Sequence, residues 1–191
     1  MIAPLLATLL QVAYATSGTP VMASEQKITY DVAGTTVAEL WQDIARHGPT
    51  DPATGEHYAG DLRWNVHWNY RTSYDATECH VASVDVTIET TMTIPRWTNA
   101  REGSEPLQVA WDVFFSRLKL HEAGHKDNAI KAAQAIRDAI AGVAAAPTCE
   151  PVHARIEEVA RAVLEHWNQV DRDYDASTRH GLTQGAVLEA P

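Results

Sequence analysis

From residue 104 onward, side chains of the kind that face a core return every three or four positions: Leu107, Trp111, Phe114, Leu118, His121, His125, Ala129, Ala132, Ile136 and Ile140. At about 100° per residue these positions share one face, so the spacing predicts a long amphipathic helix with His121 and His125 on its buried stripe. Ser104 is placed to cap that helix, Pro106 is tolerated in its first turn, and Gly142 and Pro147 end it. A second helix is expected from residue 151, with Val152, Ile156, Val159, Val163, Trp167, Val170 and Tyr174 as its stripe and His166 at the stripe's edge. Past Gly181 no period remains.

Before residue 104 the period is two. Leu62, Trp64, Val66, Trp68 and Tyr70 alternate with Arg63, Asn65, His67, Asn69 and Arg71, which predicts a strand with one apolar and one polar face. Val84, Val86, Ile88, Met92 and Ile94 alternate in the same way until Pro95, and the short link at 75–78 makes the two runs a hairpin. A shorter strand is expected over 27–32. The box Thr36-Val37-Ala38-Glu39 then starts a helix reaching about His47, and a Gly/Pro/Asp-rich loop covers 48–60. The outline is α+β: a small antiparallel sheet packed on two long helices.

Composition adjusts this outline at three points. The formal net charge of −10 excludes a nucleic-acid partner, which needs a basic surface. Residues 1–24 carry no charged side chain, and 2–15 form an apolar run too short to cross a bilayer. We therefore expect residues 1–23 to be a signal peptide cleaved after Ala23. The mature chain, 24–191, would be a single secreted or periplasmic domain with no stable membrane span; a buried N-terminal helix is the alternative. Cys79 and Cys149 are the chain's two cysteines, and an even pair in an exported protein suggests one disulfide closing a loop of about 70 residues.

The chemistry lies in His121-Glu122-Ala123-Gly124-His125. Histidines at i and i+4 stack on one helical face, where both can reach a single zinc ion at about 2.0–2.1 Å. Glu122 follows the first ligand by one residue and so sits beside the metal, placed to act as a general base toward zinc-bound water. A catalytic zinc usually takes three protein ligands and keeps an open position. The short spacing HExxHxxGxxH does not supply the third, since Asn128 and Lys131 stand at those places. The densest group of candidates is Tyr174 to Gly181. There His180 is the first choice, with Asp175, Glu165, His166 and Asp171 as rivals. Tyr174 is a candidate hydrogen-bond donor to a developing oxyanion. Asp175 or Asp127 could instead orient a metal-bound histidine, and Thr178 reads as a turn cap. His67, Asn65 and Asn69 line a polar strand face that an extended peptide could pair with. His47, His57, His80 and His153 are read as isolated surface residues.

These motifs together resemble a bacterial domain of unknown function described as predicted secreted zinc-dependent proteases. The resemblance runs from the Trp-rich strand 64–70 through the cysteine-bearing hairpin, Ile94-Pro95-Arg96-Trp97 and HEAGH to Tyr-Asp-x-x-Thr-x-His-Gly at 174–181. It implies a zincin-like fold and a metallopeptidase that uses one Zn2+, His121 and His125 as ligands, Glu122 as general base, and a peptide or protein as substrate. The competing expectation is a zinc-binding cell-envelope interaction protein without catalysis. Glu122 separates the two, because a closed structural zinc site has no need of a carboxylate beside its first ligand.

Overall fold

The computed structural model describes residues 12–14, 20–51 and 55–189. In chain order the elements are β1 (Val12–Tyr14), β2 (Val21–Val32), α1 (Val37–His47), β3 (Asp61–Tyr74), β4 (Cys79–Trp97), α2 (Glu105–Ala141) and α3 (Cys149–Thr178). Single 3-10 turns lie at Ala100–Glu102 and Leu182–Gln184. The expected α+β class holds. The expected leader, 1–23, falls mostly outside the described residues, although Val21, Met22 and Ala23 belong to β2.

The helix starts follow from their caps. Thr36 accepts from the Glu39 backbone N–H at 3.2 Å, and Ser104 accepts from that of Leu107 at 3.4 Å. The second long helix begins at Cys149, two residues ahead of the proline expected to open it.

The sheet corrects the antiparallel expectation. Its strand order is β1-β2-β4-β3, with β2 parallel to β4 from Met22–Thr87 to Val32–Trp97 and β3 antiparallel to β4. After β2, α1 and the loop beyond it carry the chain to the far side of β4's position. The hairpin then returns β4 between β2 and β3, where it must run parallel to β2. β4 also continues through Pro95, which was expected to stop it. Ladder pairing with β3 ends at Thr93, so past that point β2 is its sole strand neighbour among the described residues. A residue without an N–H is tolerated where one side of the strand is unpaired.

One face of the sheet is covered by both long helices. Val84, Val86 and Ile88 of β4 bury against Ala129, Ala133, Ile136 and Ile140 of α2 and Val152, Ile156 and Ala160 of α3. A second core joins Leu40 and Ile44 of α1 to Leu107, Trp111, Phe114 and Leu118 of α2, closed by Trp97, Ala186 and Leu188. The two cores share α2 but divide along it, between Leu118 and Ala129. His121, Glu122 and His125 occupy that division, so the fold opens a cleft where the helix stripe turns polar. The disulfide Cys79–Cys149 ties the start of β4 to the start of α3, as the cysteine pair predicted. Among the described residues, no helix is long and apolar enough to cross a membrane.

Candidate functional site

His121, Glu122 and His125 are 3%, 2% and 5% exposed. The i, i+4 spacing sets the two imidazoles edge to face, with ring centroids 4.8 Å apart and planes at 83°. Each ring uses Nδ1 for an oxygen acceptor: Gln184 Oε1 at 3.0 Å from His121 and Asp171 Oδ1 at 2.9 Å from His125. Those contacts place a hydrogen on each Nδ1 and turn each Nε2 toward the other, 3.3 Å apart. Asp175 Oδ1 completes the group at 3.2 Å from His121 Nε2 and 3.0 Å from His125 Nε2.

The group demands positive charge. Burial disfavours a charge on His125, yet Asp171 and Asp175 outweigh it and push the ring's pKa up to about 10. Burial would raise the Asp175 carboxyl, but the hydrogen bonds from His121 and His125 overcome it and hold it well below the usual carboxylate range. Asp171 is lowered in the same balance, with Trp64 Nε1 donating to it at 3.0 Å and Asn128 Nδ2 at 3.0 Å. Two imidazole nitrogens and a carboxylate oxygen gathered in this way are a donor set suited to a first-row divalent metal.

Glu122 stands beside them. Its Oε2 is buried with no hydrogen-bond partner among the described residues. A buried carboxylate oxygen left unpaired is costly, so it requires a reason. Burial drives the carboxyl up to about 7, against the pull of His121 and His125. The side chain lines a cavity of about 640 Å³ walled by Pro49 and Thr50, by 57–63, by Leu118 and by Arg179, His180 and Leu182. Gly60 leaves it space: a Cβ there would stand 2.6 Å from Glu122 Oε1.

The chain returns to this centre through an unusual turn. Arg179 and His180 both have φ 51 and Gly181 has φ 82, three left-handed residues in succession at the end of α3. For Arg179 and His180 this conformation costs about 1–2 kcal/mol each. Gly181 is required by its φ and by space, since a Cβ would meet His121 Cγ at 3.1 Å. The turn then lays Gln184 against His121.

The candidates sort accordingly. Asp175, rather than His180, joins the two histidines. His180 lies one step out, its side chain 46% exposed, with Nδ1 3.4 Å from Asp175 Oδ1 and its ring stacked on Tyr58 at 4.4 Å. Tyr174 differs from the expected oxyanion donor. Its hydroxyl donates to the His121 carbonyl at 3.2 Å and accepts from Gln184 Nε2 at 3.0 Å, and the residue is not part of the cavity wall. Its ring stacks on His121 and meets His125 edge-on, so it positions both imidazoles. Thr178 caps the turn, donating to the Tyr174 carbonyl at 2.8 Å. Glu165 pairs with Arg172, and His166 packs edge-on to Trp167; neither joins the centre. Asp127 is exposed, as are His67, Asn65 and Asn69 on the polar face of β3. Sequence reasoning missed Gln184 and the Trp64 tether on Asp171. Gln184 sits in a tail without period, and Trp64 read only as core.

Gly124 explains the closeness of Tyr174: a Cβ at this position would overlap the Tyr174 hydroxyl. Gly124→Ala should push the ring off His121 and destabilise the protein by about 1–3 kcal/mol, as overpacking does. Thermal unfolding followed by circular dichroism checks this; an unchanged midpoint would show that the helices separate freely here.

In comparison with known proteins, the family described as a bacterial protein of unknown function (DUF922) matches residues 28–181. That stretch holds every residue of the centre except Gln184. No curated protein and no solved structure matches the chain.

Proposed function

The chain belongs to the bacterial DUF922 family, and from its own residues we propose that it is a zinc-dependent hydrolase of peptide bonds acting outside the cytoplasm. His121, His125 and Asp175 would hold the ion, and Glu122 would serve as general base. The observation that carries the reading is the convergence of two Nε2 atoms and one Oδ1 beside a buried carboxylate oxygen that has no partner among the described residues. Both histidines have Nδ1 anchored, which is how outer contacts orient metal-binding imidazoles.

A bound zinc ion would supply Lewis acidity, lowering the pKa of water to about 7 and polarising a carbonyl. The remaining work falls to the chain. Glu122, whose side chain lines the cavity, accepts a proton from the nucleophile and passes it to the departing amine. Asp171 and Gln184 keep the two imidazoles in one tautomer. β3 is an edge strand among the described residues, and its first residues wall the cavity, so an extended peptide can pair along its open side. The disulfide suits an oxidising compartment and supports export.

The test is a zinc titration of the chelator-treated protein, paired with cleavage of a mixed peptide library. Wild type should take one equivalent of zinc and cleave peptides only when loaded. Asp175→Asn should weaken zinc by more than about a hundredfold, beyond what outer contacts contribute. His180→Ala should keep its zinc. A wild-type protein that takes up no zinc, or that cleaves equally well with chelator present, sinks the reading.

A further inference from the structure

The cavity carries one cationic side chain that nothing on its walls accounts for. Arg63 is engaged: its Nε donates to Asp61 at 2.8 Å and its Nη2 to the Thr50 carbonyl at 3.3 Å. His57 Nδ1 lies 2.9 Å from the Gly48 carbonyl, and His180 is stacked on Tyr58 beside Asp175. Three carboxylates of the wall are engaged as well, Asp61 by Arg63, Asp171 by His125, and Asp175 by the histidines. Arg179 also lines the cavity, yet its guanidinium has no hydrogen-bond or ion-pair partner among the described residues.

Its backbone is set by the helix end. Arg179 caps α3 in the left-handed region at φ 51, with its N–H on the Asp175 carbonyl. Glycine takes that conformation without strain and is the common residue there. An arginine instead starts its side chain one helical turn beyond Asp175, where the residue is exposed and lines the cavity. A guanidinium offers a planar fork that matches a carboxylate with two parallel hydrogen bonds. On a chain of formal net charge −10, long-range attraction does not bring anions in, so their recognition must be local.

We propose that Arg179 is a carboxylate-recognition group, and that the substrate is a peptide bearing a free carboxylate in this cavity. This rests on the peptidase reading for the word substrate, but binding tests it separately. The carboxylate can come from a peptide C-terminus or from an Asp or Glu side chain, and the two sources are told apart by paired probes. One pair is an N-acetylated tripeptide as its free acid and as its amide. The other is an amidated peptide with an internal Glu and its Gln counterpart.

Isothermal titration is run on the full chain with chelator present, so cleavage does not compete and the outcome stands apart from whether the chain is a peptidase. Wild type should bind the charged member of at least one pair about ten- to a hundredfold more tightly than its neutral partner. Arg179→Gln should abolish that preference. Arg179→Gly should abolish it too while folding at least as well, since glycine suits φ 51. Preference in the first pair assigns the terminal carboxylate, and preference in the second assigns an acidic side chain. Equal binding of charged and neutral peptides, no measurable binding of either pair, or a preference that survives in both variants overturns the proposal.

Discussion

Glu122→Gln is expected to keep its zinc and to lose about a hundred- to ten-thousandfold in the rate of peptide cleavage, the range a positioned general base contributes. Glutamine reproduces the shape of the side chain, which matters where Glu122 packs so closely on Gly60 that a Cβ there would collide with it. What it cannot reproduce is an oxygen that accepts a proton and releases it again. The substitution also replaces a carboxylate that is 2% exposed and has one oxygen unpartnered among the described residues. Removing a buried charge removes its desolvation cost, so the variant should melt no lower than wild type. Retained metal, retained fold and lost turnover form a signature that a structural role for Glu122 does not produce. Single-turnover cleavage, metal content and a thermal melt read all three. Cleavage within tenfold of wild type would remove Glu122 from the chemistry.

The parts of this site that were legible in the sequence are local ones. HEAGH is decided within a single helix, where positions i, i+1 and i+4 have fixed directions, and the Ser104 cap and the stripe from Leu107 to Ile140 fix that helix in turn. The third member of the cluster was not legible in this way. Asp175 and His180 lie five residues apart, but the left-handed turn at Arg179, His180 and Gly181 cuts the helical period at the end of α3. Helical phasing therefore says nothing of where His180 lands, while Asp175 is still helical and reaches α2. Gln184 meets His121 across 63 residues through a turn whose only signal is a glycine. Trp64 belongs to an alternating strand, so its apolar face was readable; the hydrogen bond from its indole N–H to Asp171, 107 residues on, was not.

The sheet divides along the same line. The hairpin of β3 and β4 is a near-neighbour pairing, and alternation with a short link is enough to specify it. The parallel pairing of β2 and β4 is long-range, and β2 carries Ser24, Glu25 and Gln26 in succession where an alternating pattern would need an apolar residue. Its register is held in part by a buried threonine, Thr90, whose hydroxyl donates to the Ser24 carbonyl at 3.2 Å.

Breaking the Cys79–Cys149 bridge should lower stability by about 4 kcal/mol while leaving zinc affinity intact. The magnitude comes from a sequence separation of 70 residues, because a cross-link of that span removes much of the unfolded chain's freedom. For a chain of this size that amounts to a melting temperature lower by roughly 8–16 °C. The location argues that the proposed zinc site will not feel it. Cys149 opens α3 and Asp175 lies 26 residues further on, about 39 Å along the helix at 1.5 Å per residue. Between them Val152, Ile156 and Ala160 are buried in the core shared with α2 and β4, so α3 stays docked when its first residue is released. Cys79 keeps its backbone bridge to Ala146, at 2.7 and 3.0 Å, with or without the sulfur link. The Cys79→Ala, Cys149→Ala double variant, melted and then titrated with zinc well below its midpoint, separates the two quantities. A loss under about 1 kcal/mol would mean that the unfolded chain is already restricted without the bridge. Zinc affinity falling along with stability would mean that the two ends of α3 dock as one unit, with Asp171 and Asp175 held in place by a bond at the other end of the helix.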